Sequence, residues 1–362
     1  MPANAWFIYA LGGGWGHLNR ALALAQVAVR HRPVHLLVNS PYAKKLVPAL
    51  QPNSQTDEHK QSLTLHILPK TELPTLDAIA AAKRTIQSKL EEIDYSCLIV
   101  DTFPRGLIGE LIRLIPQKQE TCRVLVHRDL DPYYVKDKDL DSFVSNYYDG
   151  ILIPGESNVP FIHLSQAQVT APWLSRSPTD LISQPLPQWH FSAQKPLVVV
   201  CAAGQPDELN IFGHLTYQLS AAFPHATVRC LAATCPTTCP AALWLFHWPG
   251  MDVLQFADVV VGSGGYNLVH ECEALHIPLV AFAFPRRYDR QERRIRQYGG
   301  CLVTDAEGAI AAVRPLVTAR RERPKTHYET KTYYETKTHY ENGVSAAIAH
   351  IEAWCKASRS WN

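Results

Sequence analysis

The chain has 362 residues, room for two α/β domains of ordinary size, and its 46% hydrophobic and 9% aromatic content is that of a protein with filled cores. A formal charge of +2 gives no case for a nucleic-acid partner. No apolar stretch reaches the roughly 20 residues that span a bilayer, and the amino terminus turns to glycine before a signal-peptide core could finish.

Residues 5–11 form a short apolar strand, followed at once by GGGWGH. From Leu18 to Val29, Leu18, Ala21, Leu22, Ala25 and Ala28 recur at helical spacing, with Asn19 and Arg20 polar. Strand, glycine loop and helix open a doubly wound sheet. Further strands are predicted at Val34–Val38, Leu63–Leu68, Cys97–Val100 (ending in Asp101), Arg123–Val126 and Gly150–Ile153. Helices are predicted over 76–92 and Leu107–Ile115. This alternation predicts a parallel sheet covered on both faces. Pro172, Pro178, Pro185, Pro187 and Pro196 break any regular element between 171 and 196, where Trp173 and Trp189 could anchor an interdomain linker. The alternation restarts at Leu197–Ala202, with a helix near 208–222, Thr227–Leu231 and a strand near 243–246. The expected domains are therefore 1–170 and 197–324, two Rossmann-like halves. Residues 325–342 are three copies of a hexapeptide, KTHYET, KTYYET and KTHYEN, read as a polar duplicated insert or as a docking surface of Tyr328, Tyr333, Tyr334 and Tyr340. A last amphipathic helix falls within 343–362.

Nine cysteines, odd in number and scattered among apolar strands, fit reduced thiols in a cytoplasmic protein. Cys230, Cys235 and Cys239 are close together but lack a paired CxxC and a nearby His, so they read as loop thiols.

The most informative stretch is 257–291. The apolar run Val259–Val261 ends in Gly262, Ser263, Gly264 and Gly265, a helix carrying Asn267 and Glu271 follows, then an apolar strand from Leu279 and the cluster Asp289, Arg290, Gln291. Strand, glycine turn and helix start aim backbone N–H groups and a positive helix end at a phosphate. The later Glu, Asp and Gln suit hydroxyls, so the expected ligand is a sugar nucleotide, a co-substrate with no separate cofactor.

This stretch resembles the C-terminal half of GT-B glycosyltransferases, in particular the peptidoglycan N-acetylglucosaminyltransferases and the wider UDP-glycosyltransferase superfamily. The resemblance implies two Rossmann-like domains facing a cleft, Glu271 on the ribose hydroxyls, and Asp289 and Gln291 on the donor sugar. Glu292 and Ile295 stand where that family often has a glutamine and an asparagine, which leaves the donor sugar open. The loop with Gly204 and Gln205 corresponds to a family loop beside the diphosphate. The LFHWPG segment corresponds to one lining the base, where Phe246 or Trp248 could stack on uracil. In plant-type relatives a His after the first strand pairs with an Asp after a later one, and LIVDTF is similar to the surroundings of that Asp.

His17 ends the first glycine loop and Asp101 closes another strand at the same sheet edge. We therefore expect His17 as general base and Asp101 as its orienter, with Gly13, Gly14, Gly16 and Arg128 on the acceptor side. Glycine amides and the helix start after them would stabilise the leaving diphosphate, giving an inverting, metal-independent transfer to an acceptor hydroxyl. A dinucleotide dehydrogenase is unlike this chain, because the third glycine of its fingerprint and an acid closing the second strand are both missing. HRDLD at 127–131 imitates a kinase loop without the rest of the kinase set. A sugar-nucleotide 2-epimerase and a non-catalytic donor-binding subunit are the alternatives. The acceptor is open. Leu107–Ile115, flanked by Arg105, Arg113 and Lys118, reads either as a helix packed on its sheet or as a peripheral contact with an anionic membrane bearing a lipid-linked acceptor.

Overall fold

The computed structural model describes residues 4–50, 62–69, 75–192, 194–322 and 340–359. Most of the hexapeptide insert lies outside the described residues. Two compact units divide the chain: Met1–Trp173 with Asn342–Asn362, and Leu174–Glu341.

Unit 1 runs β1 (Trp6–Ala10), α1 (Trp15–Ala28), β2 (Val34–Val38), α2 (Ala43–Leu50), β3 (Leu63–Ile67), α3 (Leu76–Glu92), β4 (Cys97–Asp101), α4 (Leu114–Gln117), β5 (Cys122–Val126), α5 (Pro132–Asp137), α6 (Leu140–Tyr147), β6 (Gly150–Pro154) and β7 (Ala167–Thr170). All seven strands are parallel, in the order β3-β2-β1-β4-β5-β6-β7. β1, β4 and β6 are buried throughout, which is why they read as unbroken apolar runs rather than as an alternation. The terminal helix (Val344–Arg359) packs on this sheet. A Cβ at Gly150 would stand 2.3 Å from the Trp354 ring, and Arg32 pairs with Glu352.

One predicted helix is absent. Residues 107–113 are a run of bends and turns, and only Leu114 and Ile115 of the expected helix fall in the short α4. Gly106 and Gly109 take φ of +82° and +79°, outside helical space. Glu110 turns inward, accepts from Ile108 N at 2.9 Å and Leu107 N at 3.3 Å, and receives the Tyr9 hydroxyl. The amides that would open a helix are thus satisfied by a side chain, and the interfacial-helix reading loses its helix. No helix among the described residues is long and apolar enough to cross a membrane.

Unit 2 runs β8 (Leu197–Cys201), α7 (Pro206–Ala222), β9 (Thr227–Leu231), β10 (Trp244–Leu245), α8 (Met251–Leu254), β11 (Val259–Ser263), α9 (Tyr266–Ala274), β12 (Leu279–Phe282), α10 (Gln291–Gln297), β13 (Cys301–Val303) and α11 (Ala306–Glu322). Its six parallel strands lie in the order β10-β9-β8-β11-β12-β13. The order reverses between β8 and β11, and in open α/β sheets the crevice at such a reversal is the usual ligand seat.

Candidate active site

In unit 1, β1 and β4 are neighbours, so the chain leaving β1 meets the last residue of β4. His17 lies in the first turn of α1, with Nδ1 2.5 Å from Oδ2 of Asp101. Arg20, three residues on and therefore on the same helix face, donates to Oδ1 from Nε at 2.9 Å and from Nη2 at 2.6 Å. Its Nη2 also reaches Oδ2 at 2.7 Å and Thr102 Oγ1 at 3.1 Å. Arg20 and Asp101 are buried. The sequence reading gave Arg20 no role; its place one turn after His17 is the signal that could have found it.

The electrostatics fix the protonation states. Burial pushes the Asp101 carboxyl up, but the charge of Arg20, with the hydrogen bonds from His17 and Arg20, overcomes it and holds the group well below the usual carboxylate range. Burial also lowers the imidazole of His17, more than Asp101 raises it, and Arg128 and Arg20 lower it further. A neutral ring beside an acceptor-only carboxylate must donate from Nδ1, which leaves the lone pair on Nε2. That is the state a general base needs.

The loop before His17 is built for this ring. A Cβ on residue 12 would stand 2.1 Å from Cδ2 and 2.4 Å from Nε2 of His17, so only glycine fits. Asn39 Oδ1, just after β2, accepts from Gly12 N at 2.9 Å and Gly13 N at 2.7 Å. These two amides are therefore committed, consistent with a loop that does not seat a dinucleotide. Gly13 takes φ +68°, Gly14 caps α1, and Gly16 has open space where a Cβ would be. Thr102 sits at φ +71°, an outlier for a β-branched residue, directly after Asp101. Backbone strain of this kind, about 1–3 kcal/mol, persists where the surroundings over-determine it, and here Arg20 and Val126 O hold Thr102.

Arg128, half-buried after β5, is near enough to His17 to weaken its hold on a proton. His127 is fully buried against Phe161, and burial followed by Arg128 pushes it down to about 3. The chain carries Asp-x-Asp triplets at Asp129–Asp131, Asp137–Asp139 and Asp139–Asp141, a pattern that elsewhere bridges metals. Here Asp131 caps α5 through Tyr133 N at 2.8 Å, Asp137 pairs with Lys138, and Asp139 accepts from Ser142. Among the described residues, one group of three potential metal ligands comes together: Cys97, Cys122 and Cys355, all buried.

In unit 2 the four turn residues divide by role. A Cβ at Gly262 would meet Leu268 at 2.4 Å, and one at Gly264 would meet Ile295 at 2.6 Å, so these two glycines admit α9 and α10 to close packing. Gly264 N donates to Phe282 O at 2.9 Å. The expectation that the whole 262–265 backbone offers donors is corrected accordingly: Gly264 is spent in the sheet. Half-buried Ser263 ends β11, and Gly265 caps α9, whose first turn contains Asn267. The amides of that turn are those helix geometry leaves without an intrahelical acceptor.

Glu271, buried in α9, accepts from Ser175 Oγ at 3.1 Å, a partner that the proline-rich stretch had concealed. Asp289 pairs with buried Arg294 at 2.8 Å, and Arg294 also reaches Gly264 O at 3.1 Å. Gln291 is buried and its Oε1 accepts from Phe284 N at 3.0 Å. Gly204, at φ +125°, and Gln205 lie between β8 and α7. Phe246 is exposed and Trp248 half-buried. Between them His247 bonds Asp252 at 3.1 Å, a buried carboxylate also held by Arg176 at 2.8 Å. Glu271, Asp289, Gln291 and the 262–267 turn thus share the carboxyl-end side of β11 and β12.

No protein-family model and no curated protein sequence matches the chain. Solved structures match over nearly its whole length. Arabidopsis thaliana UGT89C1, solved with UDP-L-rhamnose, is 14% identical, with 99% of each chain covered and a TM-score of 0.61. The calicheamicin glycosyltransferase CalG4 is 15% identical, with 99% of each chain covered and a TM-score of 0.59. MurG of Acinetobacter baumannii is 12% identical, covering 97% of this chain and 99% of its own, at 0.54. At such identities the likeness is one of fold: two parallel-sheet α/β units of the GT-B fold class.

Proposed function

We propose that the protein is a glycosyltransferase that moves a sugar from a nucleotide-sugar donor, a UDP-sugar, to an acceptor hydroxyl with inversion and without a metal. The observation that carries this reading is the neutral His17, oriented through Nδ1 by an ionised Asp101 and cleared on its Nε2 side by Gly12. Unit 1 supplies the base. Nε2 takes the proton of the acceptor hydroxyl as its oxygen attacks the anomeric carbon, and Asp101 steadies the imidazolium that forms. Unit 2 supplies the donor site, where Glu271 accepts from ribose hydroxyls, Asp289 and Gln291 meet the sugar, and the first turn of α9 faces the charge growing on the departing diphosphate.

The neighbours solved as glycosyltransferases, one of them with UDP-L-rhamnose, support this assignment. A thermal-shift panel of UDP-, GDP- and dTDP-sugars tests it, since a ligand that binds the folded state raises the melting point by mass action. A UDP-sugar should give the largest rise, and a flat panel would remove the donor site. Conversion of UDP-N-acetylglucosamine to its epimer without an acceptor would replace transfer by isomerisation.

A further inference from the structure

In unit 2 the loop after β8 and the segment after β12 are joined by one ion pair. Arg286 meets Glu208 with both arms of its guanidinium, Nη1 to Oε1 and Nη2 to Oε2, each at 2.5 Å. The same two-pronged geometry suits phosphate oxygens. Arg286 keeps 27% of its side chain exposed and Glu208 keeps 9%, so the pair is reachable from the arginine side.

Glu208 also covers its own loop. A Cβ on Gly204 would stand 1.9 Å from Glu208 Oε2, and Gln205 N donates to that oxygen at 3.3 Å. A carboxylate therefore occupies the ground over Gly204 that suits a diphosphate, and a guanidinium matches its charge. β8 borders the reversal of strand order and β12 is one strand beyond β11, so the pair spans the expected ligand seat. The segment that carries Arg286 is rich in cations: residues 286–296 hold six arginines and two acids, with Arg294 paired to Asp289 and Arg296 to Glu292. One amide of the 262–265 turn is already committed, Gly264 N being given to Phe282 O.

We propose that Arg286 is shared between Glu208 in the empty protein and the diphosphate of the donor in the occupied one. This rests on the nucleotide-sugar reading and adds a named cation to it. Glu208 holds the guanidinium in place until phosphate oxygens take over, then leaves Gly204, because two like charges over one loop repel. Arg286 then faces the charge that builds on the leaving group.

Calorimetric titration of the full chain with UDP and with uridine tests the proposal. R286Q should lose at least about tenfold in UDP affinity and stay within about twofold for uridine. R286K, which keeps the charge and loses the fork, should fall between and serves if R286Q does not fold. E208Q keeps an acceptor for Gln205 N but drops the competing charge, so it should bind UDP a few-fold more tightly, on the order of the gain expected from relieving one charge pair. UDP affinity unchanged by both Arg286 substitutions, or no tighter in E208Q than in the wild type, overturns the exchange. Wild-type protein that binds neither UDP nor uridine refutes the donor reading itself, a different result.

Discussion

Replacing Gly12 by Ala puts a methyl group where the His17 ring now lies. On the present backbone that carbon would be 2.1 Å from Cδ2 and 2.4 Å from Nε2, against an ordinary carbon contact of about 3.5–4.0 Å. The loop is poorly able to retreat, because Asn39 holds the amides of residues 12 and 13. The ring must therefore turn away and give up its 2.5 Å bond to Asp101. Overpacking of this kind costs about 1–3 kcal/mol, and loss of a positioned base costs about 10²–10⁴-fold in turnover. His17→Ala removes the obstructing atoms, so G12A should cost less than about 0.5 kcal/mol in that background. The expected interaction energy is then about 1–3 kcal/mol. Urea denaturation of the four proteins, with turnover measured alongside, completes the cycle. A G12A protein with wild-type turnover, or an equal stability cost with and without His17, refutes the reasoning.

Asp101→Asn leaves the buried Arg20 guanidinium without its counter-charge and should cost about 3–5 kcal/mol in urea; unchanged stability contradicts the pairing. The lowered imidazole of His17 predicts that kcat/KM rises with pH through a midpoint below the ordinary imidazole value of about 6.5 and is level at neutrality. A midpoint above that value contradicts it. His127, held at about 3 when folded, binds its proton less tightly in the native than in the unfolded chain. Its contribution is fully present above about pH 6.5 and is lost as pH falls toward 3, amounting to about 2 kcal/mol by pH 5. His127→Phe should flatten the denaturation midpoint between pH 7 and 5, and an unchanged slope would show another group at work.

The fold was legible because fully buried parallel strands announce themselves as apolar runs, and the meeting of His17 with Asp101 was legible because each stands where such a run ends. Arg20 was not, since a lone arginine in a helical pattern reads as a solvated residue until the helix face is known. Ser175 and the Glu208–Arg286 pair escaped for a different reason: they meet residues 96 and 78 positions away in the chain. Leu107–Ile115 misled because its apolar spacing imitates a helix, while the backbone freedom of Gly106 and Gly109 and the inward turn of Glu110 decide otherwise. The glycines at 262–265 were visible as a turn, but only packing shows that Gly262 and Gly264 make room for helices.

The most direct measurement is the release of nucleoside diphosphate from the best-bound donor with water as acceptor, comparing the wild type with His17→Ala. The account predicts a slow but measurable wild-type rate, a fall of about 100-fold or more in the variant, and donor affinity unchanged. Equal rates in the two proteins would contradict it.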